Sequence, residues 1–318
     1  MRSGVVRKNS NQPDESITQR ELFLRRGFVK LHGFFGPKEI ETLRGLALSQ
    51  LHEVNNKFDT FHGNKSFNRL AYDVGNDSNE LKEIVLSDPV KGVAKSIVGR
   101  DLILAQGLSF ELKNNQSGFP WHVGLVSFNY IYPESFGCTI WIPLDEINVD
   151  GQQGGMRYVP RDIISGRYLY QRWWALTSQV DCLEEIKAHE KEYNALKFPH
   201  PNSVEAKLYD RISIEDDFKV GDALLFDKWV FHRSCPLLPG PMESRLAFAI
   251  RFVDAKARYS PNNLRALIAA NEVLDRKPPT KFGFTFTDLN DGDEMRLSKF
   301  CTTRLEGRSS NNPDEFDY

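Results

Sequence analysis

Two of the seven histidines stand in surroundings that could do chemistry. His122 lies in Phe119-Pro120-Trp121-His122-Val123-Gly124, just beyond a β-type run. His232 closes the stretch Gly221-Asp222-Ala223-Leu224-Leu225-Phe226-Asp227-Lys228-Trp229-Val230-Phe231-His232, 110 residues after the first. Imidazole is the commonest protein ligand for a metal, yet a metal site needs several donors converging in space. Either histidine alone therefore reads as an ordinary hydrogen-bonded side chain. Arg245 follows His232 by thirteen residues, at the head of a run that ends Arg251-Phe252-Val253. A period of two puts Arg245, Ala247, Ala249 and Arg251 on one face and Leu246, Phe248, Ile250 and Phe252 on the other. Alanines between two guanidinium groups leave room above the strand, a cavity wall suited to a carboxylate held by a fork of donors. The alternative is a half-exposed strand with two surface arginines, and the histidine pair tips the balance against it.

These residues need elements to carry them. A short strand is expected at Gly27-Phe28-Val29-Lys30-Leu31, then a helix over 37–55 that begins at Pro37 and buries Ile40, Leu43, Ala47, Leu51 and Val54 on one face. Leu81, Ile84 and Val85 mark a shorter helix, and Pro89 restarts one that carries Val90, Val93 and Ile97 to Gly99. From Asp101 the pattern turns to β-type runs at 103–112, 138–144, 156–159, 223–226 and 246–253, separated by Gly, Pro, Asn and Asp. Helices first and strands afterwards predict a mainly β fold, a jelly roll buttressed on one side by helices. Residues 161–211 interrupt the strands with a partly helical insert containing Trp173-Trp174 and the charged run 182–197. That insert is either a lid or a surface elaboration whose aromatics plug a secondary core. One catalytic domain over 16–305 is expected, with polar tails at 1–15 and 306–318.

The chain has 318 residues, 41 basic and 43 acidic, for a net charge of −2, which argues against a nucleic-acid partner. No apolar run is long enough to cross a membrane and the N-terminus lacks a signal-peptide core, so a cytoplasmic location is expected. Cys138, Cys182, Cys235 and Cys301 lack CxxC spacing and read as reduced thiols.

Taken together, residues 20–255 resemble the iron(II)- and 2-oxoglutarate-dependent oxygenases of the phytanoyl-CoA dioxygenase superfamily, whose core is a double-stranded β-helix of the cupin-like jelly-roll type. The first histidine of that family's H-x-D turn matches His122. The histidine after its G-D-x-L-x-F type run matches His232, and the arginine that binds the far carboxylate of 2-oxoglutarate matches Arg245. Its tryptophan strand and Gly-rich turn are matched by Cys138-Thr139-Ile140-Trp141-Ile142-Pro143-Leu144-Asp145 and Gly154-Gly155-Met156-Arg157-Tyr158-Val159-Pro160, with Trp141 as a second contact to 2-oxoglutarate by analogy. Phe119 stands where some carrier-dependent members have threonine.

The departure is at Gly124, where the family has the aspartate of a 2-His-1-carboxylate triad. Alternation points positions 122 and 124 to the same side, so a gap beside the iron is expected, open to an anion such as chloride. This resembles the iron/2-oxoglutarate halogenases, which have Gly or Ala there and couple O2-driven decarboxylation of 2-oxoglutarate to transfer of halide in place of hydroxide. By that resemblance Asn129, Thr139 and Arg251 form the halide shell. A hydroxylase whose carboxylate was lost, naturally or by deliberate exchange, is one rival; a catalytically silent metal- or ligand-binding protein is another. No carrier or synthase domain is attached, so a free-standing enzyme is expected. Its small-molecule substrate is expected to be an amino-acid-like carboxylate, free or presented by a carrier protein in trans. Candidate anchors for it are Arg69, Arg157, Arg161 and Arg172, with Trp173 and Trp174 closing over it. The oligomeric state is open.

Overall fold

The chain enters the fold through helix α1 (Gln19–Arg26), which the sequence reading left unassigned. Thr18 caps it, and Glu21 returns the hydrogen bond to the Thr18 backbone, so two amide groups that would be orphaned at the helix start are satisfied. Gly27, at φ 78°, ends the helix and feeds strand β1 (Phe28–Leu31). This computed structural model describes residues 17–53, 60–61, 64–65, 67–125, 127–177, 188, 199–200, 202–263, 288–297 and 303–307. The expectations for the tails 1–15 and 308–318, for Val54, Cys182 and Cys301, and for nearly all of the run 182–197 fall outside the described residues.

Helix α2 (Pro37–Gln50) buries Ile40, Leu43 and Ala47 but ends before the predicted residue 55. His52–Glu53 instead form strand β2 and spend their backbone hydrogen bonds on the sheet edge, opposite Leu70 and Arg69. A two-stranded pair, β3 (Thr60–Phe61) and β4 (Asn64–Lys65), precedes β5 (Arg69–Tyr72). Helices α3 (Asn79–Val85) and α4 (Asp88–Gly92) follow, the latter running on as a π-helical turn to Val98 before Gly99 at φ 75°.

The remaining strands are β6 (Leu102–Lys113), β7 (Gly137–Pro143), β8 (Met156–Tyr158), β9 (Ile214–Glu215), β10 (Ala223–Asp227), β11 (His232–Ser234), β12 (Ser244–Asp254) and β13 (Arg304–Leu305). Helices α5 (Arg167–Thr177) and α6 (Val204–Ile212) lie between β8 and β9. The larger sheet is antiparallel in the order β1-β10-β7-β12-β6-β5-β2, with β13 beside β6; the smaller is β11-β8-β9. This is the expected mainly β jelly roll with a helical buttress.

Strand β12 sits at the centre of the larger sheet and alternates as its sequence predicts. Leu246, Phe248, Ile250 and Phe252 join the core under the helices with Leu43, Val85 and Ile142. Ala247 and Ala249 join a second core between the sheets with Trp141, Phe110, Tyr158 and Phe226. Each large apolar side chain buried this way contributes about 1.5–3 kcal/mol. The second core is where the candidate site lies. Among the described residues no helix is long and apolar enough to cross a membrane.

Candidate active site

The two histidines meet through their backbones. Each N–H donates to the other's carbonyl oxygen at 2.9 Å, a closed antiparallel pair between the segment after β6 and the start of β11. Residues so paired project side chains to the same side, and the imidazole centroids stand 4.1 Å apart. Nδ1 of His122 lies 2.7 Å from the Pro120 carbonyl oxygen, and Nδ1 of His232 lies 2.9 Å from that of Val230. A carbonyl oxygen only accepts, so Nδ1 carries the proton and Nε2 the lone pair in both rings, the tautomer a metal requires. Burial, reinforced by the positive Arg251 and opposed by the hydrogen bonds to the Pro120 and His232 backbone, pushes His122 down to about 4. Burial likewise holds His232 well below the ordinary imidazole range, with the adjoining His122 ring and the positive Arg251 adding to it. Both are neutral at physiological pH.

Among the described residues no third His, Cys, Asp or Glu completes a metal-binding group with this pair. The gap expected at Gly124 does not begin at the glycine itself, because the place a β-carbon would take is closely lined. The Gly124 carbonyl accepts from the N–H groups of Ser127 and Phe128 at 3.0 and 2.9 Å, a turn that folds Phe128 back over the glycine. A β-carbon placed on Gly124 would lie 2.8 Å from Cδ2 of Phe128 and 3.1 Å from the Tyr170 hydroxyl oxygen. Tyr170, reaching in from α5, donates to the Lys228 carbonyl at 3.3 Å. Burial raises its pKa well above the ordinary phenol value, Asp227 adds to the rise, and Arg251 opposes it, so it is a neutral donor.

Arg251 donates from Nη1 to Oε1 of Gln106 at 2.6 Å, and Gln106 donates from Nε2 to Asp73 at 2.9 Å. Burial lowers the Arg251 pKa against the pull of Tyr72, Tyr130, Tyr170 and Asp73. Thr139 on β7 is buried directly opposite Arg251 in register. Asn129 is buried at 3% exposure, and its Nδ2 has no hydrogen-bond partner.

At the other end of the same strand face, Arg245 is 1% exposed, and neither its Nε nor its Nη1 has a partner among the described residues. Its guanidinium lies 5.6 Å from the Trp141 ring centre, and the Trp141 indole N–H is also without a partner. Burial pulls Arg245 down to about 10, with Asp145 opposing, so it remains a cation. A buried cation beside an unsatisfied indole donor is costly unless an anion arrives. The donor set fits the far carboxylate of 2-oxoglutarate, just as the paired Nε2 atoms fit iron.

The other sequence-predicted residues are not brought to the histidines. Arg69 faces away from the cavity and is gripped by Glu111 through Nε and Nη2 at 2.8 and 3.1 Å. Arg157 lies between the inward Met156 and Tyr158, so it points outward, where it pairs with Asp210 and Glu215. Arg161 bridges the buried Asp227 and the Leu24 carbonyl, and Arg172 is exposed on α5. Trp173 is buried in the helix-side core, and Trp174 lies 4.5 Å from the Tyr132 ring. The aromatic pair thus packs the insert onto the body. Sequence reasoning missed Phe128, Tyr130, Tyr170 and Gln106. The buried alternation of β6 could have flagged Gln106; nothing local flags Tyr170. Cys138 and Cys235 are free, buried thiols, as expected.

Residues 23–237 match the phytanoyl-CoA dioxygenase (PhyH) family. No curated protein matches the sequence. Among solved structures, the chain is similar to SnoN, a non-heme alpha ketoglutarate dependent epimerase from nogalamycin biosynthesis, with TM-score 0.54 and 16% identity over 87% of this chain and 93% of that one. It is similar to the carbocyclase SnoK from nogalamycin biosynthesis, with TM-score 0.53 and 14% identity over 88% and 94%. Similarity to EctD from S. alaskensis has TM-score 0.53 and 15% identity over 77% and 79%. Likeness at these identities is likeness of fold.

Proposed function

The chain belongs to the phytanoyl-CoA dioxygenase family of iron(II)- and 2-oxoglutarate-dependent enzymes, and from that premise we propose that it is a halogenase acting on an unactivated C–H bond of a small molecule. The observation that carries this reading is the surroundings of Gly124: a neutral phenol and an aromatic wall, with the Arg251 guanidinium in electrostatic reach, and no carboxylate ligand among the described residues. The Arg251 guanidinium attracts an anion, and none of these groups supplies a ligand of its own.

His122 and His232 would hold the iron through Nε2. Arg245 and Trp141 would hold the far carboxylate of 2-oxoglutarate, Ala247 and Ala249 leaving it room. Tyr170 and Arg251, with Asn129 and Thr139 as further donors, would face the chloride. Phe119 and Phe226, with ring centres 5.5 Å from His122 and 4.6 Å from His232, keep water from the metal's flanks. When bound, iron with 2-oxoglutarate and O2 supplies the oxidant that takes a hydrogen atom from the substrate. The balance is R–H, 2-oxoglutarate, O2, chloride and a proton giving R–Cl, succinate, CO2 and water. Whether chloride or hydroxide reaches the substrate radical depends on where the substrate is held. The substrate class proposed is an amino-acid-like carboxylate, free or carried in trans.

The test is anaerobic titration of the iron(II)·2-oxoglutarate complex with chloride, followed by mass spectrometry of products from a panel of amino acids and their acyl derivatives. A charge-transfer band that shifts with chloride but not sulfate, and a chlorinated product, are expected. Hydroxylated product with a halide-indifferent band would make the chain a hydroxylase. No consumption of 2-oxoglutarate would make it a silent binder.

A further inference from the structure

We infer that Phe128 is the positioning residue that keeps the third metal position without a protein ligand, acting as a wedge that admits only glycine at position 124. The inference rests on the reading of His122 and His232 as the metal ligands.

The Phe128 ring is clamped between two glycines. Its Cδ2 edge would stand 2.8 Å from a β-carbon on Gly124, and its Cδ1 and Cε1 atoms would each stand 2.8 Å from a β-carbon on Gly137. Carbon atoms prefer separations of about 3.5–4.0 Å. Relief by retreat is closed off, because Gly137 opens β7, pairs with Val253 and accepts the Lys228 N–H at 2.9 Å. The ring itself is 1% exposed, with close-packed neighbours on its remaining sides. An aspartate at 124 would also meet the Tyr170 hydroxyl, 3.1 Å from the β-carbon position. Two glycines and the ring between them are therefore a matched set. The chain is built around the absent side chain.

Thermal melts of the metal-free full chain test the wedge. Overpacking of this kind in Gly124→Ala should lower Tm by about 2–8 °C, and Gly124→Asp should lower it further or fail to fold. In a Phe128→Ala background the same changes at 124 should cost little or nothing, a non-additivity that contacting residues show and independent ones do not. Gly124→Ala melting with the wild type, or penalties that simply add to that of Phe128→Ala, would overturn the wedge. Iron(II) affinity by equilibrium dialysis then reads what a merely structural role would not move. Gly124→Asp/Phe128→Ala should bind iron about tenfold or more tightly than Phe128→Ala alone, because a carboxylate can then reach the metal. Coupled melts with unchanged iron affinity would instead overturn position 124 as the third ligand site, and the proposed function with it.

Discussion

Replacing Arg245 with leucine should move stability and cosubstrate affinity in opposite directions. In the metal-free, ligand-free chain the guanidinium is 1% exposed, with Nε and Nη1 unpartnered among the described residues, and it is compensated by the face of Trp141 at 5.6 Å and by the charge of Asp145. Removing a charge from water costs several kcal/mol even after relaxation, and apolar replacement of buried ionic groups is often neutral or stabilising by about 1–4 kcal/mol. Leucine fills part of the volume among Trp141, Leu237 and the β12 alanines. Arg245→Leu should therefore melt at or above the wild-type temperature without ligand, by up to about 2–4 °C for each kcal/mol recovered. Truncating one side of a buried charge pair costs about 2–5 kcal/mol, and each 1.4 kcal/mol is tenfold. The 2-oxoglutarate Kd should thus rise by roughly 30-fold to several thousand-fold.

The assay is calorimetric titration with 2-oxoglutarate, using manganese(II) in place of iron, paired with thermal melts with and without the cosubstrate. Wild type should gain Tm with 2-oxoglutarate by mass action, and the variant should gain almost none. A Kd within about threefold of wild type would remove Arg245 from the cosubstrate site. A large loss of apo stability would show that the guanidinium is satisfied by the protein itself, and the reasoning from its orphaned atoms would fail.

Three further outcomes are expected. His122→Ala and His232→Ala should each abolish iron binding measured by dialysis, and a variant that retains full occupancy strikes that residue from the ligand set. Trp141→Phe keeps the ring and deletes the unpartnered indole donor, so it should raise the 2-oxoglutarate Kd by about three- to tenfold, the worth of one hydrogen bond, with Tm little changed; an unchanged Kd would count against the contact. Asp222 is partly buried, but its carboxylate accepts from the Gly33 and Lys219 N–H groups and pairs with Lys30, and the net effect holds its pKa below the ordinary value. A lowered folded-state value stabilises above the unfolded pKa of about 3.9 and is lost as pH falls through the folded one. Asp222→Asn should therefore lower Tm at pH 7 and converge on wild type in acid; a pH-independent difference would refute the linkage.

What the sequence revealed and what it hid follow from the range of the interactions involved. Strand β12 is legible because one residue in two is large and apolar, and the histidine pair favoured a cavity over solvent for the intervening Arg and Ala positions. The same alternation was available for Arg157, whose neighbours Met156 and Tyr158 are the inward pair, so its outward direction could have been read. Helix α1 carried a capping box in Thr18 and Glu21 that went unread because its face is mostly charged. The crowding at the Gly124 β-carbon position was less accessible. It depends on a turn that returns Phe128 onto the glycine four residues earlier and on Tyr170 arriving from the insert. The first is local but needs the turn's geometry; the second is tertiary and has no sequence signature.

Charge accounting gives the halide reading its strongest physical support. A ferrous ion and the guanidinium groups of Arg245 and Arg251 together bring four positive charges to the space between the sheets. Both imidazoles are held neutral. 2-Oxoglutarate returns two negative charges, and Asp73, felt by Arg251 and linked to it through Gln106, returns a third. The buried Asp227 is not available, since Arg161 already binds it. Asp145, which acts on Arg245, is likewise engaged by Arg44, so on the proposed reading one negative charge is outstanding, the charge an aspartate at position 124 would carry. Water in that position would leave the deficit in a region of low effective dielectric, where an unbalanced charge costs far more than at the surface. On the proposed halogenase reading, with Phe128 barring a side chain, the missing charge would come from solution, and a monatomic anion is the smallest carrier of it.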